Sequence, residues 1–395
     1  MIHQYDVAVI GAGPAGSYAA CLLAASGHRV LLLEQKSEEV LSPRCTGIVG
    51  RPYIELLGLD SDVVLARARS ATLISPCGER LHVKSADVQA YVLDRALLER
   101  RLRRRAASAG VDVLDGFIAS RLESVAGGFE ISGSRGGRRK RFTSRALVLA
   151  AGVCPALARQ AGISPPVRYL VGAHAEVDMS GVEETEVHFL NDVAPGSFAW
   201  LVPVGAGRVR LGALCDRSAA AVLRRFLARP EMRRRMPHPP GVIGQRPVPV
   251  SMSPQAHARA VVAVGDAAGQ VKPTTGGGLY YGALGARFAA EVIGDALRDG
   301  DLSARALGRY DRLCRSRLGG EMRRGALARA AFVRLSPGWV DRLLAQAERT
   351  GLADTLLASR SFSFDHHSGA LLAGLLRSLP GALVHGDRAA RGEAR

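Results

Sequence analysis

The sequence predicts an α/β protein: a Rossmann-like nucleotide-binding domain interrupted by an antiparallel-sheet domain, with a helical C-terminal region. Three observations predict this arrangement. Residues 5–34 and 261–298 each have the strand, glycine-rich turn and helix of a parallel α/β unit. Residues 169–214 alternate apolar and polar side chains, which is typical of an antiparallel sheet. From Ser303 onward the apolar spacing is almost wholly helical.

The two α/β units are far apart in the sequence, so the predicted nucleotide-binding domain is discontinuous. We assign it residues 1–165 and 251–302, with the antiparallel-sheet substrate domain at 166–250 between its two parts. A helical region follows at 303–385. The tail at 386–395 is small and charged, and we expect it to be disordered.

The composition is that of a folded, strongly basic protein. The chain has 395 residues, of which 47% are hydrophobic, enough for a large core in two domains. Its formal net charge is +17, mostly from arginine, which suits a phosphorylated substrate, an anionic membrane or nucleic acid, or is only a solvated surface. The arginine runs lack interleaved aromatic residues, so we predict no nucleic-acid partner and keep peripheral membrane contact open.

The cysteines and the N-terminus predict the location. Six scattered cysteines form no CxxC pair, which is typical of reduced thiols. We expect no secretion signal and no membrane span, because the longest uncharged apolar stretch is too short. The predicted location is therefore cytoplasmic, with the inner face of the membrane as an alternative. The histidines lack the spacing of metal ligands, so we predict no metal site.

The first motif is GAGPAG, at Gly11–Gly16, which follows a predicted strand and begins a helix. Glu34 ends the next strand, where a carboxylate can accept hydrogen bonds from ribose hydroxyls. The pyrophosphate of a dinucleotide would lie against the free N–H groups of the helix N-terminus. The predicted cofactor contacts are Gly11, Gly13, Pro14, Ala15, Gly16 and Glu34.

The second motif, GDAAGQVKPTTGGGLYYG, begins at Gly265 and decides which dinucleotide binds. Asp266 follows a buried strand, where its carboxylate can bond a sugar-alcohol hydroxyl of a cofactor. The glycines then bring bare backbone N–H groups and a helix N-terminus close to a planar ring, where they would stabilise the negative charge of a reduced flavin. The motif therefore predicts FAD, held by Gly265, Asp266, Pro273, Gly276, Gly277 and Gly278.

Together, the two motifs resemble the FAD-dependent geranylgeranyl reductase family, within the para-hydroxybenzoate hydroxylase-like group of flavoproteins. The resemblance covers roughly residues 1–300. The segment SPRCTGIVG, residues 42–50, is similar to the Cys-Gly loop that these reductases carry beside the flavin. VLDRALLERRL, residues 92–102, resembles their Asp-Arg helix, in which the arginine contacts the cofactor. The resemblance thus adds Arg44, Cys45 and Arg95 to the expected FAD contacts.

The resemblance implies an FAD-dependent oxidoreductase that reduces C=C bonds of an isoprenoid, geranylgeranyl-type lipid by hydride from reduced flavin. Such a step needs a proton donor opposite the flavin, and Cys45, Tyr280 and Tyr281 are the candidate catalytic residues. The thiol could also be a small buried side chain, and the tyrosines could be core residues. FAWLVPVG, residues 198–205, resembles the lipid-channel motif, so Trp200 and Pro203 are the candidate substrate contacts.

Two departures keep alternatives open. Ala151 stands where the wider group has an aspartate that supports NADPH contacts, so the electron donor is NADPH or ferredoxin, the latter an electron-donor protein. The lipid motif has Val202 where an aromatic residue is usual. An FAD-dependent monooxygenase, or a halogenase, acting on an aromatic or polyketide substrate is therefore the alternative function. A face of Leu371, Leu372, Leu375, Leu376 and Leu379 would either pack on the substrate domain or rest on a membrane.

Overall fold

The structure, a computed structural model, describes residues 4–37, 45–351 and 363–377. The strands are β1 (Tyr5–Ile10), β2 (Val30–Glu34), β3 (Ile48–Val49), β4 (Val64–Ala68), β5 (Ser70–Ile74), β6 (Arg80–Lys84), β7 (Ala90–Leu93), β8 (Asp112–Asp115), β9 (Phe117–Val125), β10 (Gly128–Arg135), β11 (Arg138–Leu149), β12 (Tyr169–Asp178), β13 (Thr185–Phe189), β14 (Phe198–Gly205), β15 (Arg208–Cys215), β16 (Gly244–Pro249), β17 (His257–Ala258) and β18 (Val261–Ala263). The helices are α1 (Pro14–Ala25), α2 (Arg51–Leu57), α3 (Arg95–Ser108), α4 (Pro155–Gln160), α5 (Ala219–Leu227), α6 (Pro230–Arg235), α7 (Leu279–Asp299), α8 (Ala304–Arg317), α9 (Gly319–Val333), α10 (Pro337–Thr350) and α11 (Ser368–Arg377).

A mixed sheet with the order β17-β18-β11-β1-β2-β8 forms the nucleotide-binding layer, and the meander β9-β10-β11 extends it. Strand β1 is parallel to both neighbours, and β18 is parallel to β11. Ile10 lies opposite Leu149, which lies opposite Ala263. The turns that follow these three strands therefore meet at one edge of the sheet, as the two motifs require. The predicted Rossmann-like α/β fold is confirmed.

An antiparallel sheet with the order β16-β12-β15-β14-β13-β5-β6 forms the second layer. Its outer strands β5 and β6 come from residues 70–84, outside the segment 166–250 that we assigned to this domain. Strand β5 joins the sheet by pairing in parallel with β13, with Leu73 opposite Val187. A pairing between segments so distant in sequence leaves no local pattern, which is why the predicted boundary misses these strands.

A buried ion-pair network fastens β13 to helix α6. Glu186 accepts hydrogen bonds from Arg235 Nη2 at 2.6 Å and from His188 Nε2 at 2.9 Å. Burial alone would raise the pKa of Glu186, but these two partners lower it to about 2. The carboxylate is therefore charged throughout the neutral range.

The third sheet, β3-β7-β4, is small, and its strand β3 directly follows residues 45–47. Residues 90–93 form β7, and helix α3 begins at Arg95. Asp94 ends the strand and caps the helix, because its carboxylate accepts a hydrogen bond from the Leu97 amide at 2.9 Å.

The predicted C-terminal helical region is confirmed for the described residues by helices α8 to α11. Leu371, Leu372, Leu375 and Leu376 belong to α11, whereas Leu379 and the tail 386–395 lie outside the described residues. None of the helices in the described ranges combines the length and the apolar character needed to cross a membrane.

Candidate functional site

A cavity of about 670 Å³ lies between the carboxyl edge of the parallel sheet and the antiparallel sheet. Its volume is in the range of ligand-binding pockets, roughly 300–1,000 Å³. It brings together most of the residues predicted to bind FAD: Gly11, Gly13, Pro14, Ala15, Gly16, Glu34, Cys45, Arg95, Gly265, Asp266, Gly276, Gly277 and Gly278. Arg44 lies outside the described residues.

The three glycines of the first motif have different surroundings. Gly11 has φ +102°, and an added Cβ would lie 2.3 Å from Ala150 O. At Gly16 an added Cβ would lie 1.9 Å from Gly11 O, so strand and helix touch there. At Gly13 an added Cβ would meet no protein atom within 4 Å. Gly13 thus leaves open space at the N-terminus of α1, which has no capping side chain, as an approaching pyrophosphate requires.

Glu34 is buried at the end of β2 and lines the cavity. Its Oε2 accepts a hydrogen bond from Ala12 N at 2.7 Å, and its Oε1 accepts one from Lys36 N at 3.0 Å. A carboxylate has about four acceptor positions, so lone pairs remain for ribose hydroxyls. The two backbone donors hold the carboxylate in place before any ligand binds.

The second motif reaches the cavity from the next strand of the sheet. Asp266 is half-buried and lines the cavity just after Gly265, which has φ +64°. The triple-glycine loop, Gly276–Gly278, lies beside it and leads into α7, whose N-terminus has no capping side chain. An added Cβ at Gly278 would lie 3.2 Å from Asp266 Oδ1. Pro273 is buried against helix α9, with its Cδ 3.1 Å from a Cβ added at Gly325, and does not line the cavity.

Cys45 lines the cavity two residues before Gly47, which packs against the side chain of Arg95. Arg95 is buried under Gly47 and donates to Glu99 Oε1 at 2.6 Å. Burial raises the pKa of the Cys45 thiol, but the guanidinium groups of Arg95 and Arg246 and a backbone hydrogen bond from Gly47 together lower it by more. The net pKa is below that of an ordinary cysteine, so the thiol is a stronger acid than usual.

The two adjacent tyrosines separate. Tyr280 lines the cavity, and burial raises the pKa of its hydroxyl. Tyr281 is fully buried, donates to Asp365 O at 2.5 Å and does not line the cavity. This is the surrounding of a core residue, the alternative to the catalytic role predicted for Tyr281. Neighbouring helical residues point about 100° apart, so only one of the pair can face the cavity.

The antiparallel sheet contributes an apolar wall at the other side of the cavity, formed by Phe198, Trp200, Val202, Leu214 and Val248. The Trp200 indole lies over Gly212, where an added Cβ would be 2.3 Å from Cζ2. Pro203 follows on β14 but does not line the cavity. That Pro203 contacts the substrate therefore stays a prediction, which its position outside the cavity lining does not support.

Lys272, Phe364 and Asp365 are among the cavity-lining residues that sequence reasoning missed. Lys272 is 1% exposed, and its Nζ donates to Phe364 O at 2.7 Å and lies 3.6 Å from Asp365 Oδ1. Burial lowers the pKa of Lys272, and the Asp365 carboxylate opposes that shift. Lys272 belongs to the motif KPTTGGG, and a lysine that directly precedes a glycine-rich turn expected to lie against the cofactor is the signal that could have found it.

The site fits FAD on the observations above: an unfilled space at a helix N-terminus, a fixed carboxylate and a glycine loop beside an aspartate. Among the described residues no group of three or more histidine, cysteine or acidic side chains could hold a metal ion.

Comparisons with known proteins agree with this geometry. The profile of the FAD binding domain family matches residues 4–230. Digeranylgeranylglycerophospholipid reductase 1 of Methanothermobacter thermautotrophicus is 33% identical over 361 residues, which cover 87% of this chain and 90% of that protein. Digeranylgeranylglycerophospholipid reductase of Methanocaldococcus jannaschii is 32% identical over 78% of this chain and 81% of that protein.

Solved structures share the fold. A geranylgeranyl bacteriochlorophyll reductase-like protein from Thermoplasma acidophilum superposes with a TM-score of 0.84 at 21% identity, covering 95% of this chain and 97% of that one. A flavin-dependent brominase superposes with a TM-score of 0.70 at 17% identity, covering 94% and 98%. At these identities the two structures show a common architecture only.

Proposed function

This chain belongs to the digeranylgeranylglycerophospholipid reductase family of FAD-binding proteins, and from that premise we propose that it saturates C=C bonds in the isoprenoid chains of a glycerophospholipid. The reductase relatives favour this reading over the monooxygenase or halogenase alternative. The observation that carries the proposal is the single cavity, which joins the predicted FAD residues to the apolar wall of β14 to β16.

The residues divide the work as follows. Gly13, Glu34 and the N-terminus of α1 would hold the dinucleotide, and Asp266 with the triple-glycine loop would hold the flavin end. Reduced FAD supplies the hydride when it is bound. Phe198 and Trp200 exclude water from the chain that is being reduced, because an apolar wall gives water no hydrogen-bond partner.

Cys45 is our candidate for the proton donor. Its thiol lines the cavity and its pKa is lowered by two guanidinium groups, which makes proton transfer from sulfur easier. One hydride and one proton add two hydrogens across each C=C bond, and the thiolate regains its proton from solvent. Tyr280 is the second candidate, since it also lines the cavity.

We also propose peripheral contact with a membrane, since the substrate is a membrane lipid and the chain has a formal net charge of +17. The electron donor is NADPH or ferredoxin, and anaerobic titration with each would distinguish them.

An anaerobic turnover experiment tests the function. The FAD-loaded protein is reduced with dithionite and mixed with digeranylgeranylglycerophospholipid in detergent micelles, and flavin reoxidation is followed together with the lipid mass. We expect reoxidation with a gain of two hydrogens per reduced bond. A flavin that stays reduced until oxygen is admitted would refute the reductase proposal.

A pair of cysteine variants tests the role of the thiol. Cys45→Ala should slow the anaerobic reoxidation by at least about tenfold, within the range for loss of a general acid. Cys154→Ala is the matched control, because Cys154 is a second half-buried cysteine that lines the same cavity, just before helix α4. If Cys45→Ala and Cys154→Ala both reoxidise the flavin at the wild-type rate, Cys45 is not the proton donor.

A further inference from the structure

A buried cation lies directly beneath the triple-glycine loop. Lys272 N donates to Gly277 O at 3.0 Å, and a Cβ added at Gly277 would lie 3.1 Å from Lys272 Cε and 3.8 Å from its Nζ. The ammonium lies over the Phe364 ring, 4.3 Å from the centroid. The same cavity that receives the flavin end of the cofactor is therefore lined by a positive charge.

The partners of this cation come from the C-terminal segment, residues 363–368, of which Phe364 and Asp365 line the cavity. Asp365 is 3% exposed, and its Oδ2 accepts a hydrogen bond from Gly50 N at 3.0 Å. Its Oδ1 faces Lys272 at 3.6 Å. One carboxylate thus connects the residue that follows strand β3, the lysine beneath the glycine loop and the C-terminal segment.

His367 fixes the segment on its other side without adding charge. Its Nδ1 donates to Phe364 O at 2.7 Å, so its Nε2 accepts from Thr274 Oγ1 at 3.0 Å. Burial lowers the pKa of His367 to about 3, which keeps the ring neutral. Glu321 accepts from the amides of His367 and Ser368. Lys272 and Asp365 are therefore the charged pair that lines the cavity beside the triple-glycine loop.

We propose that Lys272 is an electrostatic positioning residue for the flavin, and that its ammonium, partly balanced by Asp365, stabilises the reduced cofactor more than the oxidised one. Two-electron reduction with uptake of one proton places one negative charge on the flavin ring. A cation in a poorly solvated cavity interacts with that charge far more strongly than a surface lysine does. The inference rests on the FAD and not on which lipid is reduced.

The reduction midpoint of the bound FAD tests this, measured by spectroscopic titration against reference dyes with no lipid present. Lys272→Met keeps the length and packing of the stem but removes the charge. We expect the ratio of reduced to oxidised flavin at a fixed potential to fall at least tenfold, which is about 30 mV for a two-electron couple. Lys272→Arg should restore most of that ratio, because it restores the charge.

The double variant Lys272→Met with Asp365→Asn separates charge from folding. Removing both partners leaves no unpaired buried charge, so it should fold even where the single variant fails. Its reduced fraction should lie at or above that of Lys272→Met and below that of the wild type. Lys140→Met, at an exposed position on β11, is the control and should match the wild type.

Two results would overturn the proposal: Lys272→Met or the double variant titrating like the wild type, or Lys272→Arg titrating like Lys272→Met. Because no substrate is present, these outcomes are independent of the turnover experiment, and either proposal can fail alone.

Discussion

Replacing Gly13 with alanine should separate cofactor binding from folding. Gly13 has φ −66° and ψ 176°, a conformation that alanine adopts freely, and the added Cβ meets no protein atom within 4 Å. Losing glycine at a helix N-cap costs about 0.5–1 kcal/mol, and the stiffer unfolded chain returns about 0.4–1 kcal/mol. The free energy of unfolding of the FAD-free protein should therefore change by less than about 1 kcal/mol.

FAD binding should respond quite differently to the same methyl group, which would occupy the space expected for the pyrophosphate. Displacing one or two charged hydrogen bonds there costs about 1.5–3 kcal/mol each. The dissociation constant should rise about tenfold to several hundredfold or more, measured by calorimetric titration of the FAD-free protein.

Gly16→Ala is the matched control for this experiment. Its Cβ would lie 1.9 Å from Gly11 O, so it should lower the unfolding temperature of the FAD-free protein as well as FAD affinity. The reasoning fails if Gly13→Ala binds FAD as tightly as the wild type, or if it destabilises the FAD-free protein as much as Gly16→Ala does.

Three further predictions follow from the same geometry. Arg246→Gln removes a cation that lowers the pKa of Cys45, so the pH profile of Cys45 alkylation by iodoacetamide, read by peptide mass mapping, should move to higher pH; an unmoved profile would contradict the assignment. Gly212→Val should displace the Trp200 indole, raising KM for the lipid while the FAD dissociation constant stays within about twofold, and a change in FAD affinity alone would count against an apolar substrate wall. Glu186 has a folded pKa of about 2 against an ordinary 4.5, so it stabilises the fold above pH 4.5 by on the order of 3 kcal/mol, and that stability is lost as the pH falls towards 2. In Glu186→Gln, the free energy of unfolding from denaturant curves should fall less steeply between pH 4.5 and pH 2. If the variant loses stability over this range as the wild type does, another carboxylate is responsible.

The parts of the site that could be predicted are those that local spacing fixes. Gly11 to Gly16 and Glu34 follow directly from a strand, a turn and the next strand, and their places in the structure are those expected. The orientation of the tyrosine pair could not be predicted, because it depends on what packs against each side of α7.

Lys272 and Asp365 are in contact although they lie 93 positions apart in the sequence, and no local sequence pattern predicts this contact. The histidines that follow Asp365, His366 and His367, lack the spacing of metal ligands, and nothing in the sequence indicates that Lys272 lies beside them. The pairing of β5 with β13 escaped prediction for the same reason, since a single sequence does not reveal contacts between distant segments.

The route of the chain through the antiparallel sheet limits how this protein can be recombined with its relatives. Between β6 and β12 the chain forms strand β7, helix α3, the four strands β8 to β11 of the nucleotide-binding layer and helix α4. In a chimera that exchanges only residues 166–250, β13 would come from the relative and β5 from this chain. The parallel pairing of β5 with β13, the seam between the two parts of the sheet, would then join strands from two parents. Grafting a new lipid specificity would require two cassettes, residues 70–84 and 169–249, moved together so that both sides of that seam share one parent.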